Sequence, residues 1–148
     1  MLHNKVILVT LDGGLLRCKI FCLFNVMPNK PTHQLAEARI QAVIADNSTA
    51  LDLSGLDLAT LPDALSELKW LTKLNLHSTQ LTSIPDWLGN LSKLQYLNLG
   101  FNRLRVLPDS LGHLSRLEEL YLFRNRLSTL PDSLSQLRNL KRLELGGN

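Results

Sequence analysis

The residues of this chain that could do chemistry are few, and their spacing matches no reactive site. Cys18 and Cys22 lie in CKIFC without a His or Cys partner at zinc-binding distance. The four histidines are His3, His33, His77 and His113. They are scattered, and none joins a metal or nucleophile motif. Because the DGG sequence at 12–14 also lacks the spacing and Lys of a phosphate loop, we expect no catalytic residue, metal, cofactor or small-molecule substrate.

The length and composition describe one folded domain with a core made mainly of leucine. The 148 residues are 45% hydrophobic but only 5% aromatic, so the surface that folding removes from water is mostly aliphatic. The formal net charge of +3 is mild. Residues 103–148 hold eight basic and five acidic side chains. Because acids accompany the bases, we expect a mixed solvated surface and no nucleic-acid site.

A unit of 23 residues is repeated from residue 48 onward. Copies two to four, at 71–93, 94–116 and 117–139, align without a gap and each begins with Leu. Copy one, at 48–70, has Ser48 in that place, and copy five, at 140–148, stops at its Asn. One unit cannot enclose its own apolar residues, so the repetition predicts stacked copies with a shared core. The incomplete fifth copy also leads us to expect a truncated sequence.

The first half of each copy predicts a strand followed by an inward turn. Positions 4 and 6, such as Leu97 and Leu99, lie two residues apart and point to the same side of an extended chain. Position 9 is Asn in the last three copies, as Asn102, Asn125 and Asn148. Asn offers donors and an acceptor to backbone groups at the turn. We expect a stacked ladder in which Thr79 is a shorter substitute and Leu56 has no such role.

The second half of each copy predicts a short helical turn. Each full copy has a proline at position 15: Pro62, Pro85, Pro108 and Pro131. Its fixed φ and missing N–H favour the start of a helical turn. Leucines three and six residues later then face inward. The expected fold is an α/β solenoid, a curved horseshoe segment with a parallel β-sheet on the concave face and short helical turns on the convex face.

This pattern resembles the leucine-rich repeat family. The motif L-x-x-L-x-L-x-x-N-x-L and the LPxxLxxL that follows it cover residues 48–148, with substitutions in the first copies. The chain is similar to the 23-residue intracellular type of bacterial and eukaryotic signalling and resistance proteins. It departs from the plant receptor type, because LTSIP at 81–85 has Ser83 where that type has Gly. The resemblance implies protein–protein recognition on the concave face, usually as one module of a larger chain.

A helix is predicted over residues 31–47, before the repeats. Its apolar residues recur at near-helical spacing: Leu35, Ala36, Ile40, Val43 and Ile44. Thr32 is positioned to cap its start, and Asn47 to end it. The apolar stripe would cover the open edge of copy one, whose strand otherwise offers unpaired backbone groups. We therefore divide the chain into an N-terminal segment 1–30, a capping helix 31–47 and repeats 48–148.

Segment 1–30 leaves three alternatives open. KVILVTL (5–11) and LLRCKIFCLF (15–24) around DGG are typical of a β-hairpin. A secretory signal is disfavoured by Asp12 and Arg17 within its apolar region and by the missing A-x-A site. The third alternative is that translation starts at Met27, which makes 1–26 an artefact of start-site choice. No uncharged apolar run approaches the roughly 18 residues of a membrane span, so we expect a cytoplasmic protein without membrane attachment.

The repeat frame also identifies the side chains that face outward from the sheet, at positions 3, 5, 7 and 8. The candidate partner-binding residues are Lys73, Asn75, His77, Tyr96, Asn98, Phe101, Glu119, Tyr121, Phe123, Arg124, Arg142 and Glu144. The densest group is Tyr96, Tyr121, Phe123 and Arg124. Tyr and Arg are favoured in interface hot spots. For Phe101 and Phe123 the alternative is sideways packing against the turn as structural filler.

Three hypotheses about function follow from the sequence. The first is a non-enzymatic interaction module, a scaffold or recognition unit that binds a protein segment on the concave face. The second is the N-terminal sensor fragment of a larger signalling enzyme, such as a kinase, GTPase or ubiquitin ligase, with its catalytic domain missing. The third is a degraded gene without a cellular role. The first agrees best with the lack of reactive motifs.

Overall fold

The computed structural model describes residues 31–148, a helix followed by five strands that alternate with short 3-10 helices. The helix is α1 (Pro31–Ala45). The strands are β1 (Ala50–Asp52), β2 (Lys73–Asn75), β3 (Tyr96–Asn98), β4 (Glu119–Tyr121) and β5 (Arg142–Glu144). The 3-10 helices are η1 (Asp63–Glu67), η2 (Asp86–Asn90), η3 (Asp109–His113) and η4 (Asp132–Gln136). The hairpin, signal and cysteine predictions for residues 1–30 lie outside the described residues, and the three-part division stays a prediction.

The strands form one parallel sheet in the order β1-β2-β3-β4-β5. Each strand pairs with the next in the register of the repeat, so that Leu74 lies beside Leu97 and Leu97 beside Leu120. Equivalent positions of successive copies are therefore neighbours across the sheet. The predicted leucine-rich solenoid, with short helical turns opposite a parallel sheet, is confirmed.

The leucines of the repeat fill the space between the sheet and the 3-10 helices. All seven leucines of copy three are buried, from Leu94 to Leu114. Burial weakens in the last copy, where Leu143 and Leu145 are 40% and 36% exposed. Within the described residues β5 is paired on one side only, with β4. The core is thus continuous across copies rather than enclosed within any one of them.

The 3-10 helices begin at the predicted prolines. Each proline is the N-cap, extended at φ −64° to −72°, and its carbonyl accepts the N–H of the leucine three residues on. Gly89 and Gly112 let neighbouring 3-10 helices approach closely. A Cβ at Gly89 would lie 2.1 Å from the Ser110 carbonyl oxygen, and one at Gly112 would lie 2.4 Å from that of Ser133.

The predicted asparagine ladder is present. Asn102 is buried; its Oδ1 accepts the N–H groups of Thr79 and Leu81, and its Nδ2 donates to the carbonyls of Leu76 and Leu99. Asn125 and Asn148 repeat the pattern one and two copies on. The Thr79 hydroxyl donates to the Leu76 carbonyl, as expected of a shorter substitute.

Helix α1 covers copy one through a narrower stripe than predicted. Ala36 and Ile40 are fully buried and Val43 is 8% exposed, whereas Leu35 and Ile44 are 45% and 38% exposed. Residues 36, 40 and 43 share one helix face, and Leu35 points about 100° away from Ala36. Ile44 lies on the margin of that face, beyond Ile40 and next to the end of the helix. The assignment of Leu35 and Ile44 to the covering stripe was therefore wrong.

The two ends of α1 differ in how well they were predicted. Thr32 does not stand before the helix as an N-cap, because α1 begins at Pro31. Its hydroxyl donates to the Asp57 carbonyl at 2.9 Å and ties the helix to copy one. Asn47 ends the helix as predicted, with φ at 50°. The N–H groups of Ser48 and Asn47 donate to the carbonyls of Val43 and Ile44, the paired bonds of a Schellman motif.

Candidate functional site

The sheet register places the outward positions of successive copies in rows. Position 3 forms the row Lys73, Tyr96, Glu119 and Arg142. Position 5 forms the row Asn75, Asn98, Tyr121 and Glu144. Leu74, Leu97 and Leu120, which lie between these rows on β2 to β4, are buried. The candidate residues on β2 to β5 therefore share the outer face of the sheet, and His77, Phe101, Phe123 and Arg124 follow at the strand ends.

Five rings on this face contact one another, and we call them the aromatic cluster. Its members are His77, Tyr96, Phe101, Tyr121 and Phe123. Ring centroids lie 5.4 Å apart for Tyr96 and Tyr121, and 6.4 Å apart for Tyr121 and Phe123. Phe123 continues to Phe101 at 5.5 Å, and Phe101 to His77 at 5.1 Å. The distances and tilts are those of favourable ring pairs. The cluster spans copies two, three and four.

Gly100 makes room for the central ring and was not among the predicted site residues. It occupies position 7 between His77 and Phe123 in neighbouring copies. A Cβ at Gly100 would lie 2.7 Å from atoms of the Phe123 ring. The missing side chain lets Phe123 lie over the backbone of copy three and approach His77 to 6.0 Å. The signal in the sequence is a glycine between two ring residues in one column of the repeat.

Phe101 and Phe123 differ in exposure. Phe101 is 46% exposed although its ring contacts His77, Phe123 and Arg124. Phe123 is half-buried over Gly100. Sideways packing therefore describes one side of each ring, while part of the Phe101 ring remains open to solvent.

Asn75 and Asn98 use their side-chain oxygens within the repeat. The Oδ1 of Asn75 accepts the backbone N–H of His77 at 3.2 Å, and that of Asn98 accepts the backbone N–H of Gly100 at 3.0 Å. Asp52 does the same for Ser54 at 2.8 Å. These bonds close the turn after each strand. The Nδ2 group of Asn98 also donates to the Tyr96 hydroxyl at 3.3 Å.

Glu119, Tyr121 and Arg142 form a hydrogen-bond network on neighbouring strands. The Tyr121 hydroxyl donates to Oε2 of Glu119, and a guanidinium N–H of Arg142 donates to the Tyr121 oxygen at 3.4 Å. The bond to Glu119 raises the pKa of Tyr121, because ionisation would place two negative charges side by side. Contact with Tyr121 raises the pKa of Arg142.

We expect Glu119→Gln to lower the pKa of Tyr121 towards its usual value of about 10. In the native chain the Glu119–Tyr121 bond stabilises the fold fully at pH values below the usual tyrosine pKa. This stabilisation is lost as the pH rises through the higher pKa that Tyr121 has in the folded state. Carbon-13 NMR of labelled tyrosine rings, assigned with Tyr121→Phe, follows each hydroxyl separately. Glu118→Gln is the control, because Glu118 pairs with Lys141 at 2.7 Å. An unchanged Tyr121 titration in Glu119→Gln contradicts the network.

A basic recess lies beside the aromatic cluster, and we call it the arginine recess. It has a volume of about 430 Å³ and is lined by Phe101, Arg103, Arg124, Arg126, Asn102 and Asn125, among others. The Arg124 guanidinium carbon lies 5.5 Å from the Phe101 ring centroid. Arg103 and Arg126 were not among the predicted site residues. The signal for them was arginine at position 10 in two successive copies.

The part of the chain that the structure describes offers no metal centre. Across residues 31–148 no three His, Cys, Asp or Glu side chains converge as metal ligands. A groove of about 570 Å³ between α1 and copies one and two is lined by His33, Glu37, Asp63 and Trp87, among others. None of the helices described combines the length and hydrophobicity needed to cross a bilayer.

Comparisons with known proteins agree with this architecture. The leucine rich repeat family matches residues 47–104, 71–127 and 97–148. A leucine-rich repeat protein of Leptospira interrogans is 32% identical over 72% of this chain and 33% of its own, with a TM-score of 0.62. An internalin of Listeria monocytogenes is 26% identical over 74% of this chain and 32% of its own, with a TM-score of 0.61.

The chain spans about a third of the length of these two solved structures. No curated protein matches it. The family matches overlap and together cover residues 47–148, which is the range of the stacked strands and 3-10 helices. The chain belongs to the leucine-rich repeat family.

Proposed function

We propose that this chain is a non-enzymatic recognition module that binds a segment of a partner protein on the outer face of its parallel sheet. Leucine-rich repeats typically serve as interaction modules, and the family match supports this class of function. The observation that carries the proposal is the aromatic cluster. Five rings contact one another on one face, although the core of this protein is built almost entirely of leucine.

The aromatic cluster has properties that favour binding. Aromatic side chains, Tyr above all, supply large contact areas at interfaces and dominate their energetics. The rings of Tyr96, Tyr121 and Phe123 are half-buried, so they are already held in place by neighbouring rings. Less side-chain entropy is lost when a partner binds such pre-ordered rings.

Charged side chains of both signs surround the cluster. Lys73 lies at one end of the position 3 row, and Arg142 and Glu144 lie on β5 at the other end. Residues at the rim of an interface influence orientation and association rate more than affinity. We propose that these charges select the direction in which the partner segment lies across the strands.

Replacing the two tyrosines should weaken recognition strongly. We expect Tyr96→Ala with Tyr121→Ala to weaken partner binding at least about tenfold, because each is placed as a hot-spot residue. Quantitative capture from lysate, read by mass spectrometry, compares this variant with the native chain. The same pair changed to Phe keeps the rings and should retain most binding.

The control carries changes on the opposite side of the solenoid. His113 and Arg138 are exposed there, and His113→Ala with Arg138→Ala should capture the same proteins as the native chain. The proposal is wrong if the tyrosine variant, folded as judged by circular dichroism, retains every protein that the control retains.

The sensor alternative makes a different prediction. If these repeats form part of a signalling enzyme, the coding sequence continues in frame after codon 148 into a kinase, GTPase or ubiquitin ligase domain. We propose the cytoplasm as the compartment, on the resemblance of the LPxxLxxL repeat to the intracellular type. Fractionation of cells that express the tagged chain tests this assignment.

A further inference from the structure

The arginine recess concentrates positive charge that has no counter-charge nearby. Arg103, Arg124 and Arg126 line it, and its lining contains no carboxylate. The ion pair between Lys141 and Glu118 involves none of these three guanidinium groups. Like charges around one recess repel one another. The sequence places acids and bases close together along the chain, but the fold leaves the bases alone at this edge.

The backbone at the recess holds three lining residues in an unfavourable conformation: Gln80, with φ of 61°, Phe101 and Arg124. Phe101 and Arg124 have φ of 54° and 52°, in the left-handed region that disfavours side chains. The same repeat position is Gly55 in copy one and Gly147 in copy five, and Ser78 in copy two shares the conformation. Non-glycine residues held there cost of order 1 kcal/mol, and such strain clusters at functional sites.

Hydrogen bonds fix the backbone at two of the three arginines, and a ring contact positions the side chain of the third. The backbone N–H groups of Arg103 and Arg126 donate to the backbone carbonyls of Leu81 and Leu104, each at 2.8 Å. Arg124 is held over the Phe101 ring by a cation–π contact. The planar fork of arginine matches the two oxygens of a carboxylate or phosphate. The recess is therefore prepared for an anionic oxygen group.

We propose that the arginine recess binds a carboxylate or phosphate carried by the partner peptide; this rests on the proposed recognition function. Phe101 belongs to both the recess and the aromatic cluster, so one peptide can contact the two together. The volume of about 430 Å³ lies within the range of small-ligand sites, roughly 300–1,000 Å³. Charge complementarity favours an acidic or phosphorylated peptide.

Degenerate peptide pools test the proposal without knowledge of the partner. Four pools have random flanks and a fixed central residue: Glu, phosphoserine, Gln or Lys. We expect the immobilised chain to retain the Glu or phosphoserine pool at least about tenfold better than the Gln pool, and the Lys pool least. A stronger phosphoserine pool assigns a phosphate, a stronger Glu pool assigns a carboxylate, and equal retention shows that the recess accepts either group. Retention of the Glu and phosphoserine pools no better than the Gln pool overturns the proposal.

A charge-matched control separates the recess from net charge. Arg103→Gln, Arg124→Gln and Arg126→Gln together should remove the preference for anionic pools. The control variant changes the net charge equally at exposed positions outside the recess, with Lys93→Gln, Arg116→Gln and Arg138→Gln. It should keep the preference for anionic pools. If the triple variant does not fold, the single variant Arg126→Gln is tested in its place and should weaken the same preference. Equal loss in the recess and control variants overturns the assignment.

Two further measurements distinguish the recess from the sheet face and from other anions. Titration with inorganic phosphate, followed by NMR of arginine Nε–Hε groups, should shift the three recess signals even in the Tyr96→Ala, Tyr121→Ala variant. Such shifts support anion binding at the recess even if the tyrosine variant no longer captures proteins from lysate. Equal shifts of all arginine signals contradict a specific anion site there. The second measurement compares the binding of single-stranded DNA and of phosphatidylserine vesicles with that of the peptide pools. If either binds through the recess more tightly than both anionic peptide pools, the peptide assignment is wrong.

Discussion

Replacing Asn102 with Ala should lower the free energy of unfolding by at least about 3 kcal/mol. The Asn102 side chain satisfies two buried backbone N–H groups and the carbonyls at two strand ends. Each buried polar group left without a partner costs about 1–3 kcal/mol. Such a loss is a large part of the roughly 5–15 kcal/mol that stabilises a typical domain. Urea unfolding followed by circular dichroism measures it.

Two comparisons show whether the ladder is the cause. Asn98→Ala, four residues away, removes two bonds at a half-exposed site, with the Gly100 backbone N–H and the Tyr96 hydroxyl, and should cost only about 1 kcal/mol. Asn102→Thr should fall between the two, because Thr79 shows that a hydroxyl can reach the strand end. Hydrogen exchange should be faster at the Thr79 and Leu81 amides in Asn102→Ala. If Asn98→Ala is equally destabilising, the ladder has no special role.

Adding one methyl group at Gly89 should also destabilise the chain by about 3 kcal/mol, the upper part of the range for overpacking. The new Cβ would lie 2.1 Å from the Ser110 carbonyl oxygen. Because that oxygen belongs to the backbone, no side chain can rotate to relieve the contact, and η2 must separate from η3. The gain of about 0.4–1 kcal/mol from a less flexible unfolded chain is too small to offset this.

Gly146→Ala is the matched control for Gly89→Ala. Gly146 has open space where its Cβ would be, so the change should stay within about 0.5 kcal/mol. Urea midpoints of the two variants give the comparison. Gly100 differs again, because the atoms in the way there belong to the Phe123 ring, which can move. Equal stability of the Gly89 and Gly146 variants shows that close stacking of η2 on η3 is not required.

The predictions that held depend on local rules that recur in every copy. Proline at position 15 favours the start of a helical turn after an extended residue, and each 3-10 helix of the structure has that proline as its N-cap. Asn47 accepts a left-handed backbone more readily than most residues and ends α1 as expected. Such choices need information from only a few neighbouring residues.

The predictions that failed depend on where α1 lies against copy one. As an N-cap, the Thr32 hydroxyl would accept an N–H of its own helix. In the structure it donates to the Asp57 carbonyl of copy one, which the docking of α1 brings within 2.9 Å. Leu35 and Ile44 have suitable spacing for a broad stripe. Copy one covers only the face that carries Ala36, Ile40 and Val43. The docking angle of a helix cannot be derived from its periodicity alone.

The amino-acid sequence by itself determined the solenoid, the ladder and the choice of side chains that face outward, because a strict 23-residue period allows one stacking register. Only the tertiary structure decided which outward residues meet. The Phe123 ring lies over Gly100 of the preceding copy, and Arg124 stacks on Phe101. Acids and bases that alternate along the chain are separated at the arginine recess. These contacts join side chains of neighbouring copies, so they depend on the distance and tilt between stacked backbones, which the repeat period does not specify.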